Sequence, residues 1–189
     1  EFLRPEHKEK KAWVCNGSAC MCAGNQDELK EKLVDKLGKD KVGEMFCLGH
    51  CYENTAFHYN GYNYSGKDID QIDEIIKGKN FLNKLSSHNH TQGLVIRNNK
   101  ILKIETSLGT KKMLQAIKPN KKIEGILIKL PKIKQDLRID LPTIGFDTFL
   151  DCQKAGLKGI VLKHKHNIFL DKEKCIKFAN KHKIFINII

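Results

Sequence analysis

The chain has 189 residues, 40% hydrophobic and 30% charged. That is one ordinary domain or two small ones, with enough apolar content for a packed core and too much for a disordered chain. No apolar run approaches the roughly 20 residues of a membrane-spanning helix, and the charged start shows no secretory leader, which gives a cytoplasmic expectation. The net charge of +12 is uneven: residues 1–85 carry 13 Lys+Arg against 14 Asp+Glu, and residues 86–189 carry 21 against 8. Two electrostatically different domains are therefore expected. A basic half suits phosphates, nucleic acid or an anionic membrane surface. The plainer reading is solvated surface, because the cations are 31 Lys and only 3 Arg.

In chain order, residues 11–16 read as a strand entering a Gly/Ser loop. Residues 25–37 place Leu29, Leu33 and Leu37 four apart among charges, an amphipathic helix closed by Gly38. Residues 42–46 and 55–59 read as strands. Asn60-Gly61 then turns the chain into a hairpin with 62–64. Residues 68–76 form a second helix, with Ile69, Ile72, Ile75 and Ile76 on one face. The polar stretch 78–92 reads as connecting chain, and 86–92 as the linker between a domain over 1–85 and another over 93–189. His88 and His90 in it are metal-ligand candidates, although a solvated linker explains them more simply. The second half opens with a hairpin, 93–97 and 100–105 around Asn98-Asn99. A short helix over 110–117 and a buried strand over 123–130 follow. After the irregular segment 131–145 come a helix at 146–155, a strand at 159–163, a short strand at 167–170, a helix capped by Asp171, and a closing strand at 184–189. Alternating strands and helices predict an α/β layer structure with a small mixed sheet. In such sheets ligands collect beyond strand carboxyl ends, where the segment after Leu130 falls.

Five of the seven cysteines lie in the first 51 residues. Cys15 and Cys20 are separated by four residues, Cys47 and Cys51 by three, on two loops that each leave a predicted strand. Four thiolates from two loops enclose a 2Fe–2S cluster or a tetrahedral zinc equally well on spacing alone. Cys152 and Cys175 stand alone in predicted helices, where a buried free thiol is the default. The segment Cys15-Asn16-Gly17-Ser18-Ala19-Cys20-Met21-Cys22-Ala23-Gly24, followed by Cys47-Leu48-Gly49-His50-Cys51, resembles the thioredoxin-like 2Fe–2S ferredoxin family over residues 11–78. That family includes the small iron–sulfur subunit of NADH:quinone oxidoreductase. The resemblance implies a 2Fe–2S cluster held by Cys15, Cys20, Cys47 and Cys51, with Cys22 as packing. It also implies one-electron transfer beside a flavin- and NADH-binding oxidoreductase subunit. The segment Tyr52-Glu53-Asn54-Thr55 departs from the family's usual continuation.

The densest chemistry of the second half runs from Lys129 to Gly145. Asp136 and Asp140 suit a hard cation or activation of water. Lys129, Lys132 and Arg138 suit phosphate oxygens, and Arg138 stands out for the bidentate geometry that Lys lacks. An exposed, salt-bridged segment without a ligand is the plain alternative. Residues 91–189 resemble the C-terminal domain of the UDP-2,3-diacylglucosamine pyrophosphatase family of lipid A synthesis. The resemblance is carried by Gly93-Leu94-Val95-Ile96, by Glu105 with Gly109-Thr110, and by Gln135-Asp136-Leu137-Arg138-Ile139-Asp140-Leu141-Pro142-Thr143-Ile144-Gly145. It implies a Mg2+-dependent hydrolase that splits a UDP-linked lipid into UMP and a diacylglucosamine 1-phosphate. In that role Asp136, Arg138 and Asp140 are catalytic, and Glu105, Thr110, Lys129, Lys132 and Gln135 bind substrate. Lys111 stands where the family usually has an acid, and Ile133-Lys134 replaces a usual Pro-Gly. The family's N-terminal domain is absent, its place taken by the cysteine module. The combined expectation is an electron-transfer 2Fe–2S module joined to a pyrophosphatase-like domain, cytoplasmic, with a peripheral contact at the inner membrane. A structural-zinc or nucleic-acid-binding protein without catalysis is the alternative, although few aromatics interleave the basic residues for nucleic-acid binding.

Overall fold

The structure, a computed structural model, describes residues 9–51, 55–85, 91–120, 122, 124–132, 136–138 and 140–189. The chain divides into two compact units, Glu1–Ile72 and Asp73–Ile189. No helix among the described residues is long and apolar enough to cross a membrane.

In the first unit β1 (Ala12–Cys15) leads into two helices, α1 (Ser18–Ala23) and α2 (Gln26–Leu37), and then β2 (Val42–Met45). The hairpin β3 (Ala56–Tyr59) and β4 (Tyr62–Ser65) follows. The sheet order is β2-β1-β3-β4, with β1 parallel to β2 and antiparallel to β3. Leu29 and Leu33, one turn apart on α2, are both buried, as the four-residue spacing requires. Helix α1 departs from expectation. Six residues that read as a Gly/Ser loop form a helical turn and a half, closed by Gly24 at φ 74°, a left-handed position suited to glycine.

The second unit begins with α3, which spans Ile72–Leu85. The helix expected over 68–76 thus starts later and runs through residues read as linker, and the division between units falls at Ile72 rather than after 85. Packing overrides composition here: a Cβ at Gly78 would lie 2.3 Å from Ile128 Cδ1 and 3.2 Å from Leu94 Cδ1, so the glycine lets α3 lie directly on the sheet. Residues 86–90 of the expected linker, with His88 and His90, lie outside the described residues.

The remaining elements are β5 (Gly93–Arg97), β6 (Lys100–Ile104), α4 (Gly109–Gln115), β7 (Gly125–Lys129), β8 (Thr143–Ile144), α5 (Phe146–Lys154), β9 (Leu157–Leu162), β10 (Ile168–Phe169), α6 (Lys172–His182) and β11 (Phe185–Ile188). Five strands form a sheet in the order β11-β9-β7-β5-β6. Strands β11, β9 and β7 are parallel, and β5 is antiparallel to both of its neighbours, so this is the expected mixed sheet. Side chains alternate across it. Leu94 and Ile128 meet α3, while Val95, Leu127 and Ile160 belong to a second buried layer with Met113, Leu114, Phe149, Cys152 and Cys175 from α4, α5 and α6. Arg97 has a structural use for its fork. Its Nη1 donates to Lys118 O at 3.2 Å and its Nη2 to Ala155 O at 3.1 Å, tying down the chain beyond α4 and the end of α5.

Candidate functional sites

The first site belongs to the first unit. Parallel pairing sets Cys15 opposite Met45, so the segments leaving β1 and β2 emerge side by side. Cys15 ends β1 and Cys20 lies on α1, which corrects its expected place in a loop. Both are buried in a small core with Trp13, Met45, Leu48 and Ala56. Cys47 is half-buried, and Cys51 and Cys22 are exposed. The thiols meet in pairs, Cys15 with Cys20 and Cys47 with Cys51. Burial first, and the hydrogen bond to Cys15 second, push Cys20 up to about 11. The Cys51 thiol is raised chiefly by its hydrogen bond to Cys47. The Cys15 and Cys51 thiols are also close enough to interact. A Cβ at Gly17 would lie 3.2 Å from Phe46 O, 3.3 Å from Cys47 Sγ and 3.5 Å from Cys15 Sγ, so the glycine leaves room for the close approach of the two segments. Backbone N–H groups face sulfur: Leu48 N donates to Cys15 Sγ at 3.4 Å and Gly49 N to Cys47 Sγ at 3.3 Å. As the chain stands, the described residues contain no group of three or more His, Cys, Asp or Glu side chains placed to hold a metal ion. Cys152 and Cys175 are fully buried in their helices, as expected of packing thiols.

The second site lies at one end of the strands of the five-stranded sheet. Pairing of Gly93 with Lys129 and of Lys129 with Leu162 brings the start of β5 and the carboxyl ends of β7 and β9 together. The pairing of Leu94 with Ile104 adds Glu105, just beyond β6. Glu105 and Lys129 are buried, each side chain only 7% exposed. Thr110 donates to Glu105 Oε1 at 2.5 Å, and Lys129 Nζ lies 3.5 Å from the same oxygen and in short contact with Thr110 Oγ1. The second carboxylate oxygen, Oε2, is buried and meets no hydrogen-bond partner among the described residues. The sequence brought these three residues together as substrate ligands; the structure does assemble them, with the Lys129 ammonium facing inward.

The segment from Leu130 to Pro142 follows Lys129 in the chain. Arg138 grips Asp136 with a fork, Nε to Oδ1 at 3.0 Å and Nη2 to Oδ2 at 2.8 Å, and the Arg138 N–H adds a third bond at 3.0 Å. These hydrogen bonds hold the Asp136 carboxyl below its ordinary range. Any stabilisation from the pair is present above the ordinary carboxylate pKa and is lost as pH falls through the lowered native value. Asp140 N donates to Asp136 O at 3.0 Å, which brings the backbones of the two aspartates together. Gln92 donates through Nε2 to Asp140 Oδ2 at 3.4 Å, and Leu130 N donates to Gln92 O at 2.8 Å. Lys132 lies at the start of the segment, half-buried. Gln135, with Ile133, Lys134 and Ile139, lies outside the described residues. Gln92 was absent from the residues singled out in the sequence, because only the β5–β7 register reveals it.

An α/β unit with a mixed sheet, and polar chemistry gathered beyond its strand ends, defines the class. A family model described as the LpxI C-terminal domain matches residues 62–187, and the chain belongs to that family. The match begins upstream of residue 91, so it takes in α3 as well as the sheet. Over 104 residues the chain is 33% identical to the UDP-2,3-diacylglucosamine pyrophosphatase LpxI of Caulobacter vibrioides, an overlap of 50% of this chain and 37% of that relative. The chain therefore matches well under half of that protein's length.

Proposed function

We propose that the second unit is the catalytic part of a UDP-2,3-diacylglucosamine diphosphatase, acting on a UDP-linked lipid at the segment that carries Asp136, Arg138 and Asp140. The observation that carries this reading is the buried Glu105–Thr110–Lys129 cluster at the foot of that segment, in a chain of this family. The cluster fixes the carboxyl end of β7, so the polar segment rises from a rigid base. Asp140, steadied by Gln92, takes a proton from the attacking water. Arg138 keeps Asp136 ionised and presents a fixed positive charge where negative charge builds on phosphate oxygens. Lys132 and Gln135 are the further substrate ligands in this reading. Two carboxylates on one turn are the kind of donor set Mg2+ uses, since it takes one or two carboxylates and fills the rest of its shell with water and phosphate. Asp136 and Asp140 would hold it, and when bound it supplies charge neutralisation of the diphosphate.

Incubation of the full chain with UDP-2,3-diacylglucosamine and Mg2+ is expected to release UMP. Asp140→Ala and Asp136→Ala each lower the rate about 100- to 10,000-fold, the range of a lost acid–base group. Absence of UMP from the unaltered chain with every divalent cation tried overturns the reading.

A second reading concerns the first unit. It is favoured by the two thiol pairs flanking Gly17, with N–H groups directed at sulfur. The donor set, four thiols on neighbouring segments, is of the kind that holds a 2Fe–2S cluster, and the N–H groups suit anionic sulfur. In this reading Cys15, Cys20, Cys47 and Cys51 are ligands, the cluster supplies one-electron transfer, and a flavin- and NADH-binding subunit is the partner. Chain purified without oxygen is expected to be brown, with about two irons per chain and an EPR signal on reduction. Serine at any of the four positions removes the iron, whereas Cys22→Ser does not. A colourless protein with one zinc sinks the electron-carrier account.

A further inference from the structure

The segment from Leu130 to Pro142 follows β7 of the five-stranded sheet and ends just before β8 of the separate β8–β10 pair, and one side chain bridges its two ends. Asn167 Nδ2 donates to Lys129 O at 3.3 Å and to Pro142 O at 3.4 Å. Its Oδ1 accepts from Lys163 N at 2.7 Å, which fixes the direction of the amide in the turn beyond β9. The neighbouring Ile168 N also donates to Pro142 O, at 3.0 Å, within the parallel pairing of β10 with β8. The Lys129 end is held twice more, by its side chain on Glu105 and Thr110 and by Leu130 N on Gln92 O. The Pro142 end relies on the turn that carries Asn167 and Ile168. Proline has no N–H of its own, so its carbonyl is the one backbone polar group through which that residue can be tied.

We propose that Asn167 is a positioning residue: it sets the distance between the two ends of the candidate catalytic segment, and so the placement of Asp136, Arg138 and Asp140 over the substrate diphosphate. This rests on the hydrolase reading above. The job needs two donors and one acceptor on a short, planar group, which asparagine has. Aspartate keeps the acceptor but, when ionised, turns an oxygen toward two carbonyl oxygens. Alanine removes all three bonds. Misplacement of about 1 Å far from the reacting atoms costs on the order of 100-fold in rate.

The test compares Asn167→Ala and Asn167→Asp with the unaltered full chain by two readouts. In the UMP-release assay, kcat is expected to fall about 10- to 100-fold, while the number of UDP molecules bound at saturation stays the same. A fold-wide defect would instead lower that number. By hydrogen exchange, the amides of residues 136–138 and 140–141 are expected to exchange faster in both variants, with those of β7 and β9 unchanged. Exchange in the segment equal to that of the unaltered chain overturns the proposal, as does an unchanged kcat. Should the unaltered chain release no UMP, the hydrolase reading falls, and the exchange readout still decides whether Asn167 holds the segment.

Discussion

Lys129→Met is expected to destabilise the second unit by about 3–5 kcal/mol, because it leaves the Glu105 carboxylate buried without its cation. Both side chains are 7% exposed, so water cannot take over. Among the described residues, Thr110 then remains as the donor to Glu105 Oε1, and Oε2 already meets no partner. Combining Lys129→Met with Glu105→Gln removes the buried charge and leaves Thr110 an acceptor. That double variant is expected to recover most of the loss, since a buried ion pair contributes little over a neutral packed replacement. Urea unfolding followed by far-UV circular dichroism gives both values. A cost below about 1 kcal/mol for Lys129→Met, the worth of an exposed pair, would show that the carboxylate is not trapped. The same variant separates two roles for Lys129. The sequence suggested a phosphate ligand, whereas the inward ammonium points to a support for the strand end from which the candidate catalytic segment departs.

Much of the second unit could be read directly. The Ile126-Leu127-Ile128 run is a strand because an interior strand of a covered sheet is apolar on both faces. Asn98-Asn99 turns the β5–β6 hairpin with both residues at positive φ, 49° and 56°. Short-range chemistry was legible because it is written in adjacent residues, and the segment with Asp136, Arg138 and Asp140 stood out for that reason. What escaped depended on tertiary placement. Residues Gly78, Asn80 and Asn83 look like linker, yet they lie in α3, where Ile75 and Leu82 are buried and Gly78 rests on Ile128. Gln92 and Asn167 carry no local signature, and only strand register sets them against the segment they hold. The Asp136–Arg138 fork was readable as two candidates but not as a pair, since side chains two residues apart lie on different faces of a helix and meet here only because the backbone turns. The spacing singled out four cysteines, and the structure sets them in two pairs. The helix beneath Cys20 was not legible, because six residues between two glycines give no periodicity to read.

Phe149→Ala is expected to cost about 3–5 kcal/mol, the range for truncating a buried aromatic ring. Phe149 is fully buried, on the α5 face that meets Val95, Leu127 and Ile160 in the sheet layer. Its ring also stacks on Phe169, with centroids 5.8 Å apart and planes within 10°. Phe169 lies on β10, two residues beyond Asn167 and paired with Ile144 of β8. The cavity left at 149 therefore opens beneath the strand pair that ends the candidate catalytic segment. Phe169→Ala, at a half-buried position, removes the stack but less of the core, and a smaller cost of about 1–3 kcal/mol is expected. Urea unfolding orders the two. If Phe149→Ala costs no more than Phe169→Ala, the sheet-facing layer is not what holds α5. Phe169→Ala should in turn slow UMP release more than its small stability cost explains, because it loosens β10 without emptying the core. Equal rates for Phe169→Ala and the unaltered chain would show that Asn167 holds its place without β10 packed behind it.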